Sequence, residues 1–436
     1  MSSQQTRVAV LFRRLGPYHH ARLNAAGKLM EIFGVEACGM EDTYAWERVS
    51  GARAFTRITL TDRHDQNRSW KREVHRETGR ALHQTKPQVV AIPGWSFTDA
   101  LSALSWCLQT NTPAVMMSES TEWDERRVPW KEWLKRRLIH LCSAALAGGT
   151  PHVDYLKKLG LPPERIFLGY DAVDNRYFEE KAEMLKTEML KVESRKKYGL
   201  PEKYFLASAR FVEKKNLLRL LQAYARYRAL ARRSEIKDRK SENTSPRPSP
   251  QGGEGDAPWD LVLLGDGPLR SSIFHLRSSL GLEDHVQMPG FKQYDELPVY
   301  YGLASAFVHA SATEQWGLVV NEAMASGLPV LVSNRCGCAM DLVKDGVNGF
   351  TFDPHNVEQL ASLMFKLSTL NSLAGRSEAK TAPLSTLGAA SREIISSWGP
   401  ERFADGLVRA VKMALTTPRP QPTPIDRLLL RVLLAR

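Results

Sequence analysis

Two carboxylates and two cations are the residues of this chain whose types and spacing could do chemistry. Glu314 and Glu322 lie in EQWGLVVNEAMASGLPV, residues 314–330, directly after a strand-like run at 306–310. Leu318, Val319, Glu322, Ala323 and Ala325 follow helical spacing, and Gly327 with Pro329 stops the helix. One acid therefore sits in the loop at the strand's end, and the other about one turn into the helix. Between them lie the amides of Trp316, Gly317 and Leu318, at a helix start whose dipole favours an anion. Acid, amides and acid in series suit a molecule with hydroxyls at both ends and phosphate in the middle. A nucleotide sugar has that shape. Taken alone, such an acid pair also fits two solvated residues of a loop and a helix start.

Arg210 and Lys215 lie in RFVEKKNL, residues 210–217, between a strand-like run at 204–209 and a helical stretch at 217–227. Cations at a strand's carboxyl end and a helix start suit phosphate oxygens, onto which a planar guanidinium can fork. Transfer from a nucleotide sugar puts negative charge on the departing diphosphate, which a divalent metal or fixed cations must offset. The sequence holds no Asp-x-Asp pair, and EWD at 122–124 comes closest. Fixed cations are the expected source, with no metal and no cofactor. In a basic protein two such cations also fit ordinary surface positions. GDGPLR at 265–270 reads as a tight turn, and it lacks the lysine and hydroxyl of a P-loop. It is taken as architectural.

The glutamates separated by seven residues, followed by AMASGLPV, resemble the donor-site signature of the retaining GT-B-fold glycosyltransferases of family four. The resemblance is strongest over residues 205–353. It implies an α/β chain of two Rossmann-like doubly wound domains facing a cleft, a nucleotide diphosphate sugar as donor, and a glycan or lipid-linked acceptor. On it, Glu322 binds the ribose hydroxyls and Glu314 reaches the transferred sugar. Arg210 and Lys215 form the diphosphate clamp, aided by the amides of Trp316, Gly317 and Leu318. Gly290 and Phe291, in PGFK, back the nucleobase, and Gly16, in LGPYHH, meets the diphosphate from the first domain. Many family members carry a histidine after the fourth strand of that domain, where this chain has MMSESTEWDERR at 116–127. Glu119 or Asp124 stands in as acceptor-side group, with His19 and His20 as further candidates. Retaining members are held to let the departing phosphate take the acceptor proton, so no dedicated base is required. GT-B phosphorylases, nucleotide-sugar epimerases and a non-catalytic nucleotide-sugar-binding protein are the competing readings.

The elements that must position these residues follow from length and pattern. A chain of 436 residues exceeds one usual core, and 43% hydrophobic with 25% charged residues is ordinary for a globular protein. Strands are expected at 8–12, 88–92, 113–117, 144–147 and 165–169, then at 204–209, 261–264, 286–288, 306–310 and 330–333. The division expected is an acceptor-side domain at 1–198, a donor domain at 199–397, a crossing helix at 398–416 and a basic amphipathic tail at 417–436. Within the donor domain, the Pro/Gly/Ser-rich stretch 241–258 is expected to be disordered, and 371–386 to be a loose connection.

No run approaches the length of a membrane span, the first residues lack a signal-peptide core, and the five scattered cysteines read as reduced thiols. A cytoplasmic protein is expected. A net charge of +12 requires an anionic partner, and no nucleic-acid module is present. Residues 129–139 carry Trp130, Trp133, Leu134 and Leu138 on one stripe; the tail carries Ile425, Leu428, Leu429, Val432 and Leu433. Each stripe can lie on an anionic membrane, at the inner face, or pack on the protein's own core.

Overall fold

The computed structural model describes residues 5–40, 46–49, 53–65, 67–185, 187–242, 257–374 and 383–435. The chain forms two compact units, Met1–Asp174 with Ser397–Arg436, and Asn175–Ser396.

The first unit holds strands β1 (Arg7–Phe12), β2 (Glu31–Glu36), β3 (Thr56–Thr59), β4 (Val89–Pro93), β5 (Ala114–Ser118), β6 (Ala144–Ala147) and β7 (Ile166–Leu168). They pair in parallel in the order β3-β2-β1-β4-β5-β6-β7. Val8, Val10, Ala91 and Val115 turn to one buried face, with helices Pro17–Gly27 and Pro400–Thr416; Ala9, Val90, Met116 and Ala145 turn to the other. Both faces are covered, so these strands read as continuous apolar runs. The sequence reading passes over β2 and β3 for a physical reason. β2 ends on the buried Glu36, neutralised by Arg57 Nε at 2.8 Å, and β3 is a partly exposed edge of Thr-Arg-Ile-Thr.

The second unit holds β8 (Tyr204–Ser208), β9 (Asp260–Leu264), β10 (Val286–Gly290), β11 (Ala306–His309), β12 (Val330–Ser333) and β13 (Gly349–Phe352), parallel in the order β10-β9-β8-β11-β12-β13. β13 also escapes the sequence reading, because its first residue, Gly349, closes the turn-like stretch DGVNG. In both sheets the order reverses between the first and fourth strands, β1 with β4 and β8 with β11. In open α/β sheets ligands sit outside the carboxyl ends of such strands.

Several expected boundaries are corrected. The units meet at Asp174/Asn175 rather than at 198/199, and the stretch 179–197 belongs to two helices, Asn175–Met184 and Glu188–Tyr198, of the second unit. Phe178 fixes the first of them, buried edge-on against Tyr294 and Tyr301. Helix Leu217–Glu242 runs into the stretch expected to be disordered; residues 257–258 lead to β9, and 243–256 lie outside the described residues. Helices Val357–Ala374 and Leu384–Ser396 likewise take both ends of 371–386, and 375–382 lie outside the described residues.

Helix Pro400–Thr416 falls where the crossing helix is expected and buries Phe403, Leu407, Ala410 and Ala414 in the first unit's core. The tail forms helix Pro424–Ala435, which buries Leu430 and pairs Asp426 with Arg137 Nε at 2.7 Å. The stripe that packs is therefore Asp426, Leu430, Leu433 and Leu434, while Ile425, Leu428 and Val432 are exposed. In helix Pro129–Ile139, Leu138 and Ile139 pack inward and Leu134 lies partly buried against the same core, leaving Trp130 and Trp133 exposed at 55% and 48%. Among the described residues no helix is long and apolar enough to cross a membrane.

Candidate functional site

The carboxyl ends of β8 and β11 bring the predicted residues together. After β8 the chain passes Arg210, which is partly buried, and makes one 3-10 turn, Glu213–Lys215. Asn216 then adopts φ +57° and its side-chain amide donates to the carbonyls of Ala310 (3.0 Å) and Pro354 (2.7 Å). The Ala312 amide donates to the Lys214 carbonyl at 2.8 Å, so the two loops are stitched to each other. The turn at 265–268 supports them from below. Gly265 sits at φ +127°, where a Cβ would lie 1.8 Å from the Ala209 carbonyl oxygen, and the Phe211 amide donates to the Asp266 carbonyl at 2.8 Å. That turn is architectural, as its sequence suggested.

The loop after β11 is fastened along its length to the loop after β12. Glu314 N donates to Arg335 O (3.2 Å), Gly337 N to Glu314 O (3.1 Å) and Cys338 N to Trp316 O (3.2 Å). The Glu314 carboxylate receives the Lys215 ammonium, the Ser311 hydroxyl at 3.3 Å and His309 Nε2 at 3.4 Å. Burial alone would raise the Glu314 pKa; the Lys215 charge, then the hydrogen bond from His309, outweigh it and hold the carboxyl well below the usual range. Burial pushes His309 down, against the pull of Glu314, so its imidazole stays neutral and donates.

Helix Leu318–Ala325 starts from Gly317 at φ +102°, a conformation that favours glycine. Trp316 is buried and its indole N–H donates to Asn321 Oδ1 at 2.9 Å, which sets the loop against the helix. Glu322, five residues into that helix, is 0% exposed and accepts the Tyr301 hydroxyl at 2.6 Å. Burial, reinforced by the Glu322 charge, pushes the Tyr301 phenol well up, so it is a donor at all ordinary pH. Neither acid is a solvated surface residue. Gly290 closes β10 at φ +85°, and Phe291 beside it is exposed.

In the first unit the candidates have mostly local partners. Gly16 caps helix Pro17–Gly27 and its amide donates to His19 Nδ1 at 3.2 Å. Burial, then Arg22, push His19 to about 3, so it is a neutral capping acceptor. Gly16 itself has φ −89° and room for a Cβ, so nothing in the chain requires glycine there. Asp124 is engaged by Arg127 and by the Thr121 amide at 3.2 Å, which pins the loop rather than leaving a base in waiting. Glu119 is partly buried, and its charge adds to burial in raising the Tyr170 phenol. The reading from sequence passes over His309, Ser311 and Tyr301. His309 and Ser311 had a signal: polar residues ending an apolar strand just before Glu314.

Comparison with known proteins adds an independent line. The fold is GT-B. Anabaena HepE in complex with UDP matches with a TM-score of 0.63 at 15% identity, over 93% of this chain and 100% of that one. WaaG, a glycosyltransferase involved in lipopolysaccharide biosynthesis, matches with a TM-score of 0.61 at 16% identity, over 91% of this chain and 98% of that one. Residues 191–380, which carry Arg210, Lys215, Glu314 and Glu322, match the model of the glycosyl transferases group 1. Alpha-D-kanosaminyltransferase of Streptomyces kanamyceticus is 26% identical over 259 residues, and the chain spans only 59% of that relative's length.

Proposed function

We propose that the protein transfers a sugar from a nucleotide diphosphate sugar to an acceptor hydroxyl, with retention at the sugar carbon and without a metal or cofactor. The observation that carries this reading is the partly buried Lys215–Glu314 pair at the strand-order reversal of the second unit. Lys215, with Arg210 on the same loop, offsets the charge that develops on the departing diphosphate. Glu314, held ionised, accepts a hydroxyl of the transferred sugar. Glu322 accepts the ribose hydroxyls, with Tyr301 fixing its carboxylate. The HepE complex contains UDP, which makes UDP-sugars the first donors to try.

The acceptor we infer is a cell-surface or lipid-linked saccharide, in keeping with the lipopolysaccharide role of WaaG. The exposed Trp130, Trp133, Ile425, Leu428 and Val432, among Lys131, Arg136, Arg427 and Arg431, support a protein that works in the cytoplasm against an anionic membrane face.

The test is thermal shift and nucleotide release with UDP-, GDP- and ADP-sugars in EDTA, followed by the anomeric configuration of the product by NMR. Stabilisation by one nucleotide family with release in EDTA is expected. No shift with any donor removes the assignment, and an inverted product removes the retaining mechanism.

A further inference from the structure

The first unit has its own strand-order reversal, between β1 and β4, and a cavity of about 500 Å³ opens among the residues that follow those strands. Arg13 comes directly after β1. Trp95, Phe97 and Asp99 follow β4, and Trp70 with Lys71 and Trp130 with Lys131 complete the wall from helices Arg68–Thr85 and Pro129–Ile139. The size lies in the range of pockets that take small molecules.

Three features define what fits. Four aromatic side chains share the apolar lining with four leucines. Trp70 Nε1 donates to Thr61 Oγ1 at 3.0 Å, the Arg13 guanidinium lies 4.8 Å over Phe97, and Lys135 Nζ lies 5.8 Å from the Trp95 ring. Asp99 is 3% exposed and its Oδ2 has no hydrogen-bond partner among the described residues. A buried polar atom in that state requires a partner to justify its desolvation. Four cations line the cavity, Arg13, Lys71, Lys131 and Lys135, against two carboxyls, Asp99 and Glu125. Arg13 meets His64 and Lys135 pairs with Glu125 at 2.7 Å, and four cations against two carboxyls leave the wall net positive.

A sugar ring presents C–H faces to aromatic rings and hydroxyls at its rim. The geometry points to a saccharide-binding site that takes an acidic sugar unit, its ring against Trp95 and Trp70, a hydroxyl on Asp99 and its anionic group toward Lys71 and Arg13. That this unit is part of the acceptor rests on the glycosyltransferase reading above. The site itself rests on the cavity alone.

The experiment is an NMR titration of the full chain with methyl β-glucuronide, glucose 6-phosphate and methyl β-glucoside, read by saturation transfer, and with inorganic phosphate, read by phosphorus line width, in parallel with the UDP thermal shift. The two acidic sugars are expected to bind saturably, about tenfold tighter than the neutral glucoside. Trp95→Ala, Lys71→Ala and Asp99→Asn each weaken that binding and leave the UDP shift intact. A carboxylate preference over phosphate, or the reverse, identifies the acidic group. The proposal is overturned if the neutral sugar or phosphate alone binds as tightly as the acidic sugars, or if all three variants bind like the parent. A UDP shift without sugar binding removes this site and spares the donor reading. Sugar binding without a UDP shift does the reverse.

Discussion

Asp99 is a buried carboxyl and Glu314 a largely buried one, and their surroundings push them in opposite directions. Glu314 faces Lys215 and His309, so its pKa falls below the unfolded value of about 4.3. Its contribution to stability is full above that pH and is lost as the medium becomes more acid. Removing the cation leaves a largely buried carboxylate with only Ser311 and the neutral His309 as partners, at a cost of about 3 kcal/mol. Lys215→Ala is therefore expected to lower stability in urea unfolding, and adding Glu314→Gln to restore most of it, with transfer lost in both. A single variant within 0.5 kcal/mol of wild type, on the scale of exposed pairs, would mean the pair is effectively exposed. Asp99 has the reverse sign. Burial lifts it to about 6, only partly opposed by its own amide and by the Arg13 charge. The folded state then holds a proton the unfolded chain has released, and stability falls as pH rises from about 4 to 6. Asp99→Asn should stabilise at pH 7 by an amount on the order of 2 kcal/mol and give nothing below pH 4; equal melting curves at pH 7 would show that Asp99 is solvated. The two glutamates of the candidate site were legible because they sit in one contiguous motif. Tyr301 was not, since it lies in another helix and reads as core until the fold sets it on Glu322.

Strands legible from sequence were those buried on both faces, and they are also the ones that hold the site. β8 and β11 are short apolar runs, and the chemistry lies in what immediately follows them. What hid was the support. Nothing local says that the turn after β9 braces the loop after β8, yet Gly265 leaves no space for a methyl group beside the Ala209 carbonyl. Gly265→Ala combines that clash with φ +127°, and both act on the segment leading into Arg210 and Lys215. A loss of about 3 kcal/mol is expected, with donor affinity falling further than in Gly281→Ala, where a Cβ meets open space at φ +62°. Equal effects of the two substitutions in parallel unfolding and donor titrations would show that the brace does not reach the site. The same reasoning explains the misplaced domain boundary. The charged stretch 179–197 looks like a solvated linker, and the burial of Phe178 and Ala182 that assigns it to the second unit is a tertiary fact.

On the scale of the molecule, a net charge of +12 is more than one anionic small molecule needs, and its distribution bears on where the protein works. Both amphipathic helices pack one stripe on the first unit, as their sequence allowed. Each still shows a second one. Trp130 and Trp133 on one helix, and Ile425, Leu428 and Val432 on the other, remain exposed beside cations, while the Arg137–Asp426 pair ties the two helices together. The alternation of sequence could not resolve this, because it gives one stripe per helix and these helices carry apolar residues on two sides. Indole rings beside lysine and arginine suit the interface of an anionic bilayer, where each cation near the surface adds about 1 kcal/mol and salt screens it. The protein is expected to float with phosphatidylglycerol vesicles at low salt and to be released from phosphatidylcholine vesicles. Trp130→Ala with Trp133→Ala should weaken flotation even where charge is unchanged, and Arg427→Gln with Arg431→Gln should flatten its salt dependence. Binding that salt abolishes but the tryptophan variants leave intact would reduce the face to a diffuse basic surface. Absence of flotation at low salt would assign the exposed apolar residues to a protein partner instead.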